Sequence, residues 1–169
     1  RLWSGNQPSA EAGVEWRAHV VKDTQRAADM AAAEGLDISF EYHGGTLTDE
    51  PESTLDFLTA VDRPNVTAYW QPDVGVTTAD QTAALNAVLP WVSNIHVFQW
   101  ELVDTAVVRF PLAKGIEEWH TYLSMLAATD RDHYSLIEFV KDDRPEQFLD
   151  DAQALKSMIA RAASANGNV

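Results

Sequence analysis

Short apolar runs that read as strands alternate with amphipathic stretches that read as helices along almost the whole chain, and this alternation limits the fold more than any other feature. Trp16, Val20, Thr24, Ala27 and Ala31 share one face of a helix spanning about 14 to 34, with Gly35 as its stop. Leu36 to Tyr42 then forms a strand carrying Ile38 and Phe40, followed by His43, Gly44 and Gly45 as a turn. The pattern repeats. Pro51 opens a helix with Leu55, Phe57, Leu58 and Val61, and Val66 to Trp70 is the next strand. Thr78 and Gln81 have capping-box spacing ahead of Leu85, Val88 and Leu89, and Pro90 ends that helix. Val92 to Trp100 reads as a strand, and 101 to 114 as a less regular excursion around Val107, Val108 and Phe110. Ile116, Trp119, Leu123 and Leu126 space a helix, Tyr134 to Val140 a strand, and Pro145 begins a last helix striped by Phe148, Ala152, Leu155 and Ile159.

Parallel neighbours need a crossover, and a helix is the usual one, so the pattern predicts an α/β fold built from βα units around a parallel sheet. With a partial strand at Leu2 to Ser4 there are about five units. An open doubly wound sheet and part of a closed eight-unit barrel both accommodate five. No G-x-G-x-x-G follows a strand and no G-x-x-x-x-G-K-[ST] occurs, which removes the commonest nucleotide-binding forms of the open sheet. The body reads as one domain over 1–161, with a small, polar, flexible tail over 162–169.

Charge narrows the partners. Against 12 Lys and Arg stand 26 Asp and Glu, a formal net charge of -14, which disfavours a nucleic-acid surface. No run approaches the roughly 20 apolar residues of a membrane helix, and Arg1 to Gly5 lack a signal peptide's order, so a cytoplasmic protein is expected. Without cysteine there are no disulfides and no thiolate sites. The chain opens on Arg1 and is expected to be a piece of something longer.

The strand ends carry the chemistry. Glu41, Gln71, His96 and Glu138 interrupt or close runs that are otherwise apolar: Ile38-Ser39-Phe40-Glu41, Ala68-Tyr69-Trp70-Gln71, Asn94-Ile95-His96-Val97-Phe98 and Leu136-Ile137-Glu138-Phe139-Val140. In either architecture that edge faces the ligand. Any one of them alone would ordinarily cap a helix or bind a loop, but repetition over four successive strands favours a shared role. A carboxylate stripped of water needs a proton, a cationic partner or a metal. Two carboxylates, an imidazole and an amide oxygen suit Mn²⁺ or Mg²⁺ and are compatible with Co²⁺ or Zn²⁺.

From Arg1-Leu2-Trp3-Ser4-Gly5 through Phe40-Glu41-Tyr42-His43 and Tyr69-Trp70-Gln71-Pro72 to Leu136-Ile137-Glu138-Phe139-Val140, the chain resembles the sugar phosphate isomerase/epimerase family with the xylose isomerase-like TIM barrel. The resemblance implies a partial barrel, the C-terminal portion of eight units, with Leu2 to Ser4 in the fourth strand. Members typically hold one divalent metal with Glu, Asp, His and Glu; Glu41, His96 and Glu138 map onto ligands, and Gln71 falls where most relatives have Asp. Asp73 is a substitute ranked below it.

By that resemblance the expected activity is metal-dependent isomerisation or epimerisation of a sugar, sugar phosphate or related polyol ketone in the complete barrel. Glu41 and Glu138 are the expected acid and base on opposite sides of the substrate. His43, Trp70 and Trp100 are expected substrate contacts, while Arg109 and Lys114 read as solvated loop charges and His19, His120 and His133 as structural. An inosose-type dehydratase starts from the same proton abstraction and stays open. An apurinic-site nuclease would need more His and Asp ligands and a basic groove. A non-catalytic partial barrel that self-associates through exposed sheet edges is the alternative from another class.

Overall fold

The computed structural model describes residues 1–165. They fall into two compact units, one formed by Arg1–Gln71 with Ala87–Asn94 and the other by Pro72–Asn86 with the chain from Ile95 onward. Helices and strands alternate, and the main sheet runs in the order β1 (Ile38–Glu41), β2 (Val66–Trp70), β3 (Val92–Val97) and β6 (Tyr134–Ile137), with the third strand contributing residues to both units. A separate two-stranded sheet pairs β4 (Gln99–Val103) with β5 (Ala106–Phe110).

The first unit contains helix α1 (Val14–Ala33), strand β1 (Ile38–Glu41), helix α2 (Pro51–Val61) and strand β2 (Val66–Trp70). Helix α1 stops because Gly35 adopts φ +68°, which lets its own amide reach Ala32 O and the Leu36 amide reach Ala31 O, satisfying carbonyls that a helix end otherwise leaves bare. Its covered face is narrower than the periodicity implies: Thr24 and Ala28 are buried, while Trp16, Val20, Ala27 and Ala31 are half-buried. Pro51 supplies a preset φ at the start of α2, and Asp62 ends it in the left-handed region at φ 47°.

Strands β1 and β2 are parallel, with Ile38 opposite Val66 and Glu41 opposite Tyr69. Phe40 meets Phe57 of α2 edge to face at 5.1 Å, so the sheet and its crossover helix share an apolar layer that includes Leu58, Val61 and Ala68. The expected strand at Leu2 to Ser4 reduces to one parallel bridge from Leu2 to Phe40; the Leu2 amide bonds Ser39 O and the Glu41 amide bonds Leu2 O. Three strands share a polar ladder: Ser93 Oγ, at the start of strand β3 (Val92–Val97), lies 2.9 Å from Thr67 Oγ1 and 3.3 Å from Ser39 Oγ.

In the second unit, the run expected as one strand to Trp100 breaks after Val97. Strand β4 (Gln99–Val103) turns through Asp104, at φ 55°, into β5 (Ala106–Phe110), so the irregular excursion is an antiparallel hairpin. Helix α3 (Thr78–Val88) is capped one residue earlier than the Thr78 and Gln81 spacing implies. Thr77 Oγ1 accepts from the Asp80 amide at 3.2 Å and donates to Asp80 Oδ2 at 2.7 Å, whereas the buried Gln81 amide donates to Asp73 O.

Helix α4 (Ile116–Ala127), strand β6 (Tyr134–Ile137) and helix α5 (Pro145–Ala165) complete the unit. Trp119, Leu123 and Leu126 of α4 pack in a core with Leu155, Met158 and Ala162 of α5. The buried stripe of α5 is Asp151, Leu155, Met158 and Ala162, so Phe148 and Ile159 stay exposed, contrary to the stripe read from apolar spacing. Asp151 turns inward because it accepts from the Leu112 amide at 2.8 Å and from Gln147 at 2.9 Å. The expected tail starts at Ala162, but α5 continues through Ala165 with Ala162 covered; 166–169 lie outside the described residues. No helix among the described residues is long and apolar enough to cross a membrane.

Candidate metal centre

Glu41 is the last residue of β1 and is 2% exposed. A carboxylate so covered must recover the hydrogen bonds that water would provide. The Trp3 indole donates from Nε1 to Glu41 Oε2 at 2.6 Å, and Arg1 Nε lies 3.5 Å from the same oxygen. Both partners reach Glu41 because the Leu2 bridge lays the first residues alongside β1. Behind the strand end, Thr48 Oγ1 donates to Glu41 O at 2.6 Å and sits 2.8 Å from Ser4 Oγ and 3.0 Å from Thr46 Oγ1. This hydroxyl cluster fixes the backbone on which the carboxylate stands.

His43 follows on the Gly44-Gly45 turn and stacks on Trp3 at 4.5 Å, its Nδ1 2.7 Å from Gly44 O. Trp3 thus touches both expected functional residues of this loop. Gln71, directly after β2, is half-buried. Trp70 is 0% exposed. An indole with no accessible face presents nothing to a ligand, so the structure gives Trp70 to the core rather than to a substrate wall.

In the second unit, His96 stands in β3 and is 4% exposed, and Glu138 follows β6, its amide bonded to Val97 O at 3.2 Å. That backbone bond extends the pairing past the end of β6 and brings the two side chains together: His96 Nδ1 lies 3.3 Å from Glu138 Oε2. Two ligands at right angles on one octahedral ion, with metal–ligand bonds of about 2.1 Å, stand roughly 3.0 Å apart. The imidazole and carboxylate therefore fit adjacent positions on a divalent cation, as they fit a direct hydrogen bond.

Trp100 is half-buried, stacked at 4.7 Å on Phe139 and 4.8 Å on Phe98, with the Arg109 guanidinium 5.5 Å from its ring. Arg109 pairs with Asp143 at 2.7 Å and Lys114 with Glu101 at 2.6 Å, so both loop cations are engaged by acids of their own unit. Thr129 Oγ1 lies 2.6 Å from His133 Nε2, a structural contact.

Sequence reasoning missed Trp3 and Arg1 as partners of Glu41. The available signal was the strand-like Leu2 to Ser4 run, which places its neighbours level with the end of β1 once the two pair in parallel.

Known proteins agree on the fold. A curated 3-dehydroshikimate dehydratase from Bacillus anthracis is 24% identical over 160 aligned positions, which cover 82% of this chain and 55% of that protein. The crystal structure of the probable 3-DHS dehydratase AsbF from Bacillus anthracis superposes with a TM-score of 0.71 at 20% identity, over 90% of this chain and 60% of that one. A xylose isomerase-like TIM barrel protein from Mycobacterium smegmatis, in complex with magnesium, gives 0.67 at 16% identity, over 89% and 53%. D-allulose 3-epimerase from Methylomonas sp. gives 0.53 at 19% identity, over 92% and 57%. The chain thus spans little more than half the length of these relatives. The family model for the xylose isomerase-like TIM barrel matches residues 2–158, and with the parallel order β1-β2-β3-β6 it establishes that this chain belongs to that family as a partial barrel.

Proposed function

We propose that the protein is a metal-dependent isomerase or epimerase acting on a sugar, sugar phosphate or related polyol ketone by proton abstraction next to a carbonyl. The donors assigned to the cation are Glu41, His96 and Glu138, with the Gln71 amide oxygen as a weaker fourth donor or a substrate contact. The observation that carries the reading is the placement of a 2% exposed carboxylate and a 4% exposed imidazole at strand ends, the latter 3.3 Å from a second carboxylate. Oxygen and imidazole donors favour Mn²⁺ or Mg²⁺ and accept Co²⁺ or Zn²⁺. A relative crystallised with magnesium supports the same class of ion.

When bound, a divalent ion would polarise the substrate carbonyl and stabilise charge that develops on its oxygen. Trp3 and Arg1 orient Oε2 of Glu41, so that carboxylate is held in one direction. Glu138 is the more open of the two acids and shares an edge with His96. One carboxylate takes the proton from carbon and the other delivers one, to the opposite face for an epimer or to the neighbouring carbon for aldose–ketose exchange. His43 and Trp100 are the side chains proposed to contact substrate.

A dehydratase is the second reading, favoured by the similarity to a 3-dehydroshikimate dehydratase. It shares the first proton abstraction and differs in expelling a hydroxyl afterwards. The test is exchange of a substrate C–H proton with deuterated solvent across a ketose panel with added Mn²⁺, using the protein that contains this chain. Exchange lost in Glu138→Gln supports the proposal, a product lacking one water selects the dehydratase, and no exchange across the panel removes both. Self-association through sheet edges completes the proposal, and sedimentation at high concentration tests it.

A further inference from the structure

The β4–β5 hairpin lies wholly within the second unit and outside the main sheet, and among the described residues no strand pairs with its outer edges. Leu102, Val103, Ala106 and Val107 are exposed. An open edge is a template for another strand, and native chains usually blunt it with charge, proline or a bulge. Strand β5, Ala106-Val107-Val108-Arg109-Phe110, contains no proline and no acid, and its register with β4 runs without a bulge. Its one charge, Arg109, is drawn aside to Asp143 at 2.7 Å and over the Phe139 ring at 4.8 Å.

The register fixes which backbone groups face outward. Val103 stands opposite Ala106 across the turn Asp104-Thr105, so that closing pair exchanges backbone bonds. The alternation of an antiparallel ladder then turns the polar groups of Val108 and Phe110 toward β4 and those of Val107 and Arg109 away from it. Among the described residues no backbone bond outside the hairpin engages Val107 or Arg109.

The same strand names its own partner. When β5 lies antiparallel against β5 of a second copy, with Val108 opposite Val108, Val107 falls opposite Arg109 on both sides of the centre, so the outward groups meet as hydrogen-bonded pairs. Ala106 falls opposite Phe110, and with Val108 these residues make one face of the joint apolar throughout. Like charges do not oppose each other, which matters between copies of a chain with net charge -14. The equivalent pairing along β4 would set Glu101 directly against Glu101, so charge selects the β5 edge. Identical strands paired antiparallel are related by a two-fold axis, and the contact closes as a dimer. We propose that β5 is a homodimerisation edge, at which two copies of this chain join their hairpins into one four-stranded antiparallel sheet.

The inference makes specific the self-association through sheet edges proposed above, and rests on it. Five residues a side fall short of the roughly 20–30 of a standard interface, so the dimer should be weak. Sedimentation of the protein that contains this chain, from about 10 μM to about 1 mM, measures it. Val107→Pro removes an outward N–H without deleting a bond to β4, and should weaken dimerisation at least about tenfold. Val108→Lys sets like charges opposite each other at the centre and should do the same, which keeps the test intact should the proline disturb the hairpin. In the wild-type protein the amides of Val107 and Arg109 should exchange with solvent more slowly as concentration rises, while those of Val108 and Phe110, already bonded to β4, change little. A dimer that survives both substitutions, or that forms without slowing the Val107 and Arg109 amides, overturns the inference and leaves association through another edge standing. A monomer throughout that range overturns both.

Discussion

His96 Nδ1 lies 3.3 Å from Glu138 Oε2, although His96 stands in β3 and Glu138 directly follows β6. If the pair serves one cation, Glu138→Gln removes a negative ligand while keeping its shape. Affinity for Mg²⁺ and Mn²⁺ should fall by at least about tenfold, since even outer-shell partners of a metal are worth that much. Isothermal titration of both proteins measures it, and equal affinities would separate this pair from any metal.

Trp3 reports on Glu41. Trp3→Phe keeps the stack on His43 and deletes the N–H donated to Glu41 at 2.6 Å. Stability should drop by about 1.5 kcal/mol, the low end for a hydrogen bond to a charged group, because Trp3 is itself half open to water. Urea denaturation gives the value.

Asp151 is a structural carboxylate. Asp151→Ala leaves the Leu112 amide without its 2.8 Å acceptor and should cost about 1–3 kcal/mol. Asp151→Asn retains an acceptor oxygen and should restore most of the loss. Parallel denaturation curves that fail to separate the two variants would show that packing, not the hydrogen bond, sets the cost.

Tyr122 predicts an alkaline limit. Its folded pKa is raised from 10.0 to about 12 by burial and by Glu118, so the stabilisation it gives is complete below pH 10 and is lost as the pH climbs toward 12. Tyr122→Phe should flatten the stability profile across that window and leave its slope unchanged at pH 7 to 9. Thermal melts from pH 8 to 12 provide the comparison.

The elements with uninterrupted apolar signals were readable from the chain alone. Phe57, Leu58 and Val61 face inward from α2, and Phe40 and Ala68 mark β1 and β2. Glu41, His96 and Glu138 stood out because each follows or interrupts such a run, and they do lie in or directly after strands. The hairpin of β4 and β5 was hidden because Leu102, Val103 and Val107 are exposed, so its apolar residues carry no in-and-out alternation to read. The stripe of α5 was misread because a hydrogen-bonded acid, Asp151, takes an inward position that apolar spacing assigns to others. Trp3 and Arg1 depend on a pairing 38 or more residues distant, which local pattern cannot encode.

The hydroxyls of Ser39, Thr67 and Ser93 meet across three strands. In a sheet, a slip of one residue sends every side chain to the opposite face. Sliding β3 would part Ser93 from both hydroxyl partners at once, and sliding β1 or β2 would break that strand's hydroxyl contact with Ser93. Three small side chains thus proofread the alignment of the strands whose tips carry Glu41, Gln71 and His96, and an error in assembly is penalised well before any ligand could detect it.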